Sequence, residues 1–156
     1  MNFREKYPLL FRNTDPQEPI NLFGIECRKG WYDLLDCTFR TLYSRYKSTV
    51  HSLKYWENAK PNEFYTQEKI DQIVIEEKEK LNLIESELPV IDQCKEKFGT
   101  LRLYCSNINP YSQGIIDLAE EMSGHICEIC GNSGKTSGTR WVSTLCTMCS
   151  EKKTLD

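Results

Sequence analysis

No stretch of this chain is apolar for long enough to cross a membrane, and the first eleven residues carry Arg4, Glu5 and Lys6 where a secretory signal needs an unbroken apolar core. A cytosolic protein is expected. Histidine is scarce, with His51 and His125 the only two in 156 residues. Neither is followed by Glu at the offset of an H-x-E motif, which excludes the cytidine-deaminase pattern. Positive charge is not in excess either. The formal charge is −3, and it becomes about −5 once four thiolates hold a divalent ion, so no global field attracts nucleic acid. Binding of that kind would need a local patch. There is no internal repeat. Gly134-Lys135-Thr136 looks like the end of a phosphate-binding loop, but the required upstream glycine is Ile129 and a strand, not a helix, is expected to follow, which argues against ATP hydrolysis.

Cysteine is abundant. Of the eight, Cys127, Cys130, Cys146 and Cys149 form two C-x-x-C pairs fifteen residues apart, the spacing of a zinc ribbon. Each pair is short enough for one turn to aim both sulfurs at a point, and two such turns supply the tetrahedral shell that Zn²⁺ prefers. A shell closed by four thiolates leaves no position for water, so one structural Zn²⁺ per chain is expected, with no catalytic role. His125 is weighed as a substitute or orienting ligand, and the four-cysteine set makes it unnecessary. Cys27, Cys37, Cys94 and Cys105 are irregularly spaced and read as reduced thiols, with a Cys94–Cys105 bridge the one pairing a hairpin would allow.

Residues 1–26 mix Pro8, Pro16, Pro19 and Gly24 with short apolar clusters, and irregular structure covering another surface is expected. From Trp31 apolar residues recur at three- and four-residue steps through Trp56, predicting one long helix over about 31–57. Lys60-Pro61-Asn62 breaks it. A second helix is predicted over about 67–88, with Glu76-Glu77-Lys78-Glu79-Lys80 on a solvated face; residues 65–92 carry eight acidic and three basic side chains. After Pro89 the period becomes two. Strands are predicted at 90–94 and 100–105 around a loop at 95–99, where Gly99 supplies a positive φ. A short helix over about 111–123 follows, with Ile115, Ile116, Ala119 and Met122 inward, then the ribbon, in which 131–138 is a flexible loop and 139–145 a strand. The tail after Ser150 is expected to fray. The fold class is therefore α+β: two long helices on a small hairpin-based antiparallel sheet, a short third helix and a C-terminal zinc ribbon. Residues 1–124 form the core and residues 125–156 the ribbon.

Outside the cysteines, the strongest cluster is Lys95, Lys97, Arg102 and Tyr104 around the hairpin, with Trp31, Arg140 and Trp141 as neighbours. Cations beside ring faces suit a planar anion such as a nucleotide or single-stranded nucleic acid. The same cations also serve as edge protection on an exposed hairpin, and the tryptophans as core anchors. Asp33 and Asp36 share a helix face; a cap or surface role is expected of them in preference to acid–base chemistry or Mg²⁺ binding.

Three blocks carry a resemblance: Gly30-Trp31-Tyr32-Asp33-Leu34-Leu35, then Lys95-Glu96-Lys97-Phe98-Gly99-Thr100-Leu101-Arg102-Leu103-Tyr104, then His125-Ile126-Cys127-Glu128-Ile129-Cys130-Gly131 with Trp141 and the last cysteine pair. Together they resemble a family of small uncharacterised proteins encoded by bacteriophages and prophages. The resemblance implies a phage accessory protein, of a kind that binds host defence proteins or sequesters nucleotide signals. The functional expectation is a non-enzymatic protein that binds an anionic partner, a nucleotide signal or nucleic acid. The alternative is an inhibitor that blocks a host protein through the helical surface or the ribbon. A nucleotide hydrolase is disfavoured by the closed metal shell and the missing histidine constellation.

Overall fold

The computed structural model describes residues 2–153 and is a mixed helix-and-sheet protein built around one aromatic core. The N-terminal segment is a source of that core. Helix α1 (Phe3–Lys6), a 3₁₀ turn (Pro8–Phe11) and α2 (Pro19–Leu22) bury Phe3, Tyr7, Leu10, Phe11 and Ile20. The expected irregular cover is thus corrected: Pro8 and Pro19 start short helical turns, where a missing N–H costs nothing. Strand β1 (Ile25–Glu26) follows.

The single helix predicted over 31–57 is two. Helix α3 (Tyr32–Leu42) ends at Tyr43, and α4 (Ser44–Glu57) begins there. The hydroxyls of Thr41 and Ser44 donate to the Cys37 and Thr41 carbonyls, a local competition for helical acceptors that favours a break. Tyr43 itself is buried against the rings of Tyr7 and Tyr46. Only α3 feeds the core deeply, through Leu35, Phe39 and Leu42; among described residues of α4, Thr49 alone is buried. Phe39 takes edge-on contacts from Phe3, Tyr7 and Phe11.

Helix α5 (Gln67–Glu87) starts at an N-cap whose Thr66 hydroxyl accepts from the Lys69 N–H, and it packs along α4. Its acidic side is largely solvated, with Lys78 paired to Glu57 and Arg45 to Glu87.

Strand β2 (Val90–Lys97) runs antiparallel to β3 (Thr100–Ser106) and parallel to β1, giving the order β1-β2-β3. The sheet is therefore mixed, a correction to the all-antiparallel expectation, because a two-residue strand inside the N-terminal segment pairs with β2. The strands also run closer to the turn than predicted: only Phe98 and Gly99 remain, with φ of 53° and 79°. That is the left-handed pair of a tight hairpin turn, with phenylalanine at a position usually held by Asn, Asp or Gly.

Helix α6 (Pro110–Ser123) opens with a capping box between Asn109 and Ser112. It lies along the free edge of β3, where Ser123 Oγ accepts the Leu101 N–H and Glu120 Oε1 accepts the Leu103 N–H. The edge is thereby closed to further strands. Met122, predicted inward, is exposed, and Ser112 and Ser123 are buried instead.

The C-terminal part holds β4 (Lys135–Ser137), β5 (Ser143–Leu145), antiparallel to each other, and helix α7 (Thr147–Lys153). Three of the eight residues in the predicted flexible loop thus form a strand, and the predicted strand over 139–145 shortens to its last three residues. Glu151–Lys153 are helical, and the remainder of the tail lies outside the described residues. Among the described residues no helix is long and apolar enough to cross a membrane.

Candidate metal centre and the aromatic face beside it

The two C-x-x-C pairs converge. The ligand atoms of Cys127, Cys130, Cys146 and Cys149 all lie within 4.8 Å of one another, with Cys130 and Cys146 sulfurs 3.6 Å apart. Sulfurs about 2.3 Å from a shared ion at tetrahedral angles sit roughly 3.8 Å apart, so four such thiols can hold one metal ion. The first turn is closed by the Gly131 N–H donating to the Cys127 carbonyl at 2.9 Å, with Gly131 at φ 79°. The second is the start of α7, where the Ser150 N–H donates to the Cys146 carbonyl at 2.9 Å.

Burial raises the Cys127 thiol, but N–H donors from Cys146, Cys130 and Ile129 outweigh it and hold the group down to about 7. Sharing a proton with Cys146, together with burial and the neighbouring sulfurs, pushes Cys149 up to about 12. The contrast is that of several thiols competing for one space, and a cation resolves it by deprotonating them together. The remaining cysteines carry free thiols. Cys94 is raised by its hydrogen bond to Cys27 and by burial, and Cys105 by burial first, to about 12, which makes both poor nucleophiles.

The body grips this cysteine module chiefly at its backbone, with one ion pair beside it. The Gly30 N–H donates to the Glu128 carbonyl at 2.9 Å, Trp31 Nε1–H donates to the Ile126 carbonyl at 2.7 Å, and Arg28 Nε sits 3.3 Å from Glu128 Oε1. A Cβ on Gly30 would fall 2.2 Å from the Cys127 carbonyl oxygen, so the approach needs glycine. A second grip lies at the hairpin turn, where Thr144 Oγ1 donates to the Gly99 carbonyl and Thr136 Oγ1 to the Gly124 carbonyl. The three sequence blocks singled out above meet around this junction.

The predicted anion-site residues separate into three fates. Trp31 is completely buried and its N–H is committed, so it offers no face to a ligand, which corrects its assignment as a ligand-binding ring. Lys95, Arg102 and Tyr104 share the open face of the hairpin: Lys95 Nζ lies 5.3 Å from the Tyr104 ring centre, and Arg102 Nη1 lies 3.5 Å from Glu120 Oε2. Lys97, Arg140 and Trp141 come together, lining with Glu96, Phe98 and Val142 a concavity of about 300 Å³. Phe98 and Trp141 are 72% and 73% exposed; Phe64, Phe23 and Tyr55 are bare as well, but only Phe98 and Trp141 line this concavity.

Phe98 escapes the sequence reading because residues 95–99 read as a loop in which Gly99 alone takes a positive φ. The available signal was the Phe-Gly pair itself, once the period of two is carried through Lys95 and Lys97. Asp36, from the carboxylate pair, is a half-buried tie at the surface: it accepts from Lys6 Nζ at 2.7 Å and from Tyr7 Oη at 2.8 Å. Gly134-Lys135-Thr136 leads into β4 with Gly134 pressed on the Cys127 backbone, and it forms no phosphate cradle. No family model, curated protein or solved structure matches this chain.

Proposed function

We propose that the protein is a non-enzymatic binder of a phosphate-bearing base, as a nucleotide or as single-stranded nucleic acid, and that the cysteine module is a zinc ribbon. Zinc follows from the donor set, since four thiolates with tetrahedral spacing suit that ion better than any hard cation. The observation that carries the binding reading is the pair of bare rings, Phe98 and Trp141, set with Lys97 and Arg140 around one concavity in an otherwise acidic chain. Bases of any identity stack on such rings, and a nearby cation neutralises the linking phosphate.

The turn at Phe98 adds support. A bulky side chain at φ 53° is conformationally costly, and a buried role for the ring does not explain it, since the ring is exposed. The ion at the four cysteines fixes the strand that leads from Trp141 back to Cys146, holding that ring opposite Phe98. The phage resemblance supplies a setting in which the protein sequesters a nucleotide signal or coats a short exposed strand.

The test is fluorescence anisotropy with labelled oligothymidine, with thymidine monophosphate as competitor. Trp141→Ala is expected to weaken oligonucleotide binding by about 1 to 3 kcal/mol, the worth of one stacked base. The logarithmic salt slope is expected near about −1.4 for two phosphate contacts on a single strand. Effective competition by the monophosphate identifies a nucleotide binder; binding by the strand alone identifies nucleic acid. Unchanged affinity in both Trp141→Ala and Lys97→Glu, with fold retained, overturns the reading.

A further inference from the structure

Lys97 belongs to two surfaces. It lines the hollow with Phe98, Arg140 and Trp141, and it also ends the row of side chains along the outward face of β2. Residues two apart on a strand share a face, so Lys95 is its neighbour in that row, rooted roughly 6.7 Å away. The pairing is regular here, since the one irregularity lies earlier, between Ile91 and Gln93.

The two ammonium groups lean in opposite directions. Lys97 Nζ lies 5.7 Å from the ring centre of Phe98, at the turn, whereas Lys95 Nζ lies 5.3 Å from that of Tyr104. Tyr104 pairs with Gln93, one step further from the turn than Lys95. Each ring attracts a cation through its face, and together they splay the two charges along the hairpin. Among the described residues neither ammonium, nor the Arg140 guanidinium, is in an ion pair.

The flanks of the row differ from it. Arg102, opposite Lys95, is already tied: its Nη1 donates to the Leu101 carbonyl at 2.7 Å and lies 3.5 Å from Glu120 Oε2. On the other side Glu26, level with Lys95 on β1, accepts from Gln93 Nε2 at 3.1 Å. Carboxylates on both flanks keep a chain of phosphates to the line of the lysines.

Spacing then decides between ligands. The phosphates of a nucleoside diphosphate share a bridging oxygen and lie too close together to meet two cations splayed in this way. Successive phosphates of an extended strand are separated by a whole sugar and can meet both.

We infer that Lys95, held by Tyr104, is a second phosphate subsite beside Lys97, and that the ligand is a single strand whose backbone leaves the hollow along the outward face of the hairpin. The inference rests on the proposed base-stacking reading and goes beyond it by choosing the strand over the nucleotide.

The experiment is anisotropy on the full chain with labelled oligothymidine and, separately, labelled thymidine diphosphate, with the trinucleotide pTpTpT and unlabelled diphosphate as competitors. A third phosphate contact moves the logarithmic salt slope for the strand from about −1.4 to about −2.1. Lys95→Gln is expected to return it to about −1.4, and Lys95→Arg to restore the parent value. The trinucleotide is expected to displace the labelled strand at a concentration roughly tenfold or more below that of the diphosphate. A strand that binds with a slope unaltered by Lys95→Gln overturns the second subsite and leaves the stacking reading intact, as does displacement by the diphosphate at the trinucleotide's concentration. Binding of the labelled diphosphate without the strand overturns this inference alone. Failure of both probes overturns the stacking reading with it.

Discussion

The body and the cysteine module bury different things. In the body the fully enclosed side chains include Trp31, Tyr7, Phe39, Leu10, Leu35 and Leu101, whereas the module encloses Cys127, Glu128, Ser143 and Thr144 with little apolar company beyond Leu145. One region is held by removing carbon from water, at about 25 cal/mol per Å². The other is held by carbonyls and hydroxyls pinned at short range, with four thiols placed where they could hold an ion. The lesson is that a small segment without its own core becomes ordered by being keyed to a larger neighbour, and the keying falls on backbone atoms where side chains would be in the way.

Removing the metal should separate the regions most sharply. Structural zinc contributes about 10 to 16 kcal/mol in small zinc-dependent folds, far more than the module can replace. Chelation, or a Cys127→Ser, Cys146→Ser double substitution, is expected to abolish hydrogen-exchange protection over 126–149 while the β2–β3 and α3 amides stay protected. Uniform loss across both regions would show that the body cannot stand without the module. Elemental analysis of protein purified without chelator is expected to give one zinc per chain.

Truncation in the body's core comes next. Phe39→Ala removes a completely buried ring that three other aromatics contact and is expected to cost about 3 to 5 kcal/mol in denaturant titration. The zinc content should remain unchanged. A cost below that of an exposed substitution would break the view that α3 organises the core.

Gly30→Ala acts at the key. Its new methyl meets main-chain atoms of Cys127 and Glu128 that cannot rotate away, and overpacking of this kind costs about 1 to 3 kcal/mol. Faster exchange in the module with little change in the body is the expected signature. Trp31→Phe is subtler: it keeps most of the ring and leaves the Ile126 carbonyl without its donor, a loss of about 1 to 3 kcal/mol if that acceptor stays dry.

The smallest effect is a pH limb that belongs to the body alone. Hydrogen bonding to Lys6, opposed by partial burial, holds Asp36 below its ordinary 3.8. A depressed acid contributes stability above its unfolded pKa, and that contribution fades as pH falls through the lower folded value. Lys6 is raised above 10.5 by the same bond, so its share is complete below 10.5 and fades as pH rises through the higher folded value. Asp36→Asn should flatten the acid limb without altering exchange in the module.

Local chemistry was legible in the sequence where it depended on spacing. The cysteine quartet, the break at Pro61, α5, the two strands and α6 all follow from period, proline and ligand geometry. What escaped depended on long-range company. The parallel pairing of Ile25 with Cys94 involves a strand too short to show a period. The break at Tyr43 interrupts an apolar stripe that runs through it unchanged. Trp31 has the same composition cue as Trp141, yet one is enclosed and the other bare, a difference set by where residues 126–128 land. Phe98 escaped because a glycine-following turn was expected to be shaped by Gly99 alone, and the ring's value lies in being outside the core.

The bond from Trp31 to Ile126 joins positions 95 residues apart, and it fixes an order of events during synthesis. The chain makes its docking shelf at 28–31 long before the sulfurs emerge, and closing so long a loop is slow until other contacts have shortened it. Ion capture by the nascent C-terminal turns can precede that docking, since all four ligands are local. The module should therefore arrive preassembled and seat on a finished body, which makes seating, and not metal uptake, the step by which a newly made molecule acquires the aromatic face beside its hairpin turn.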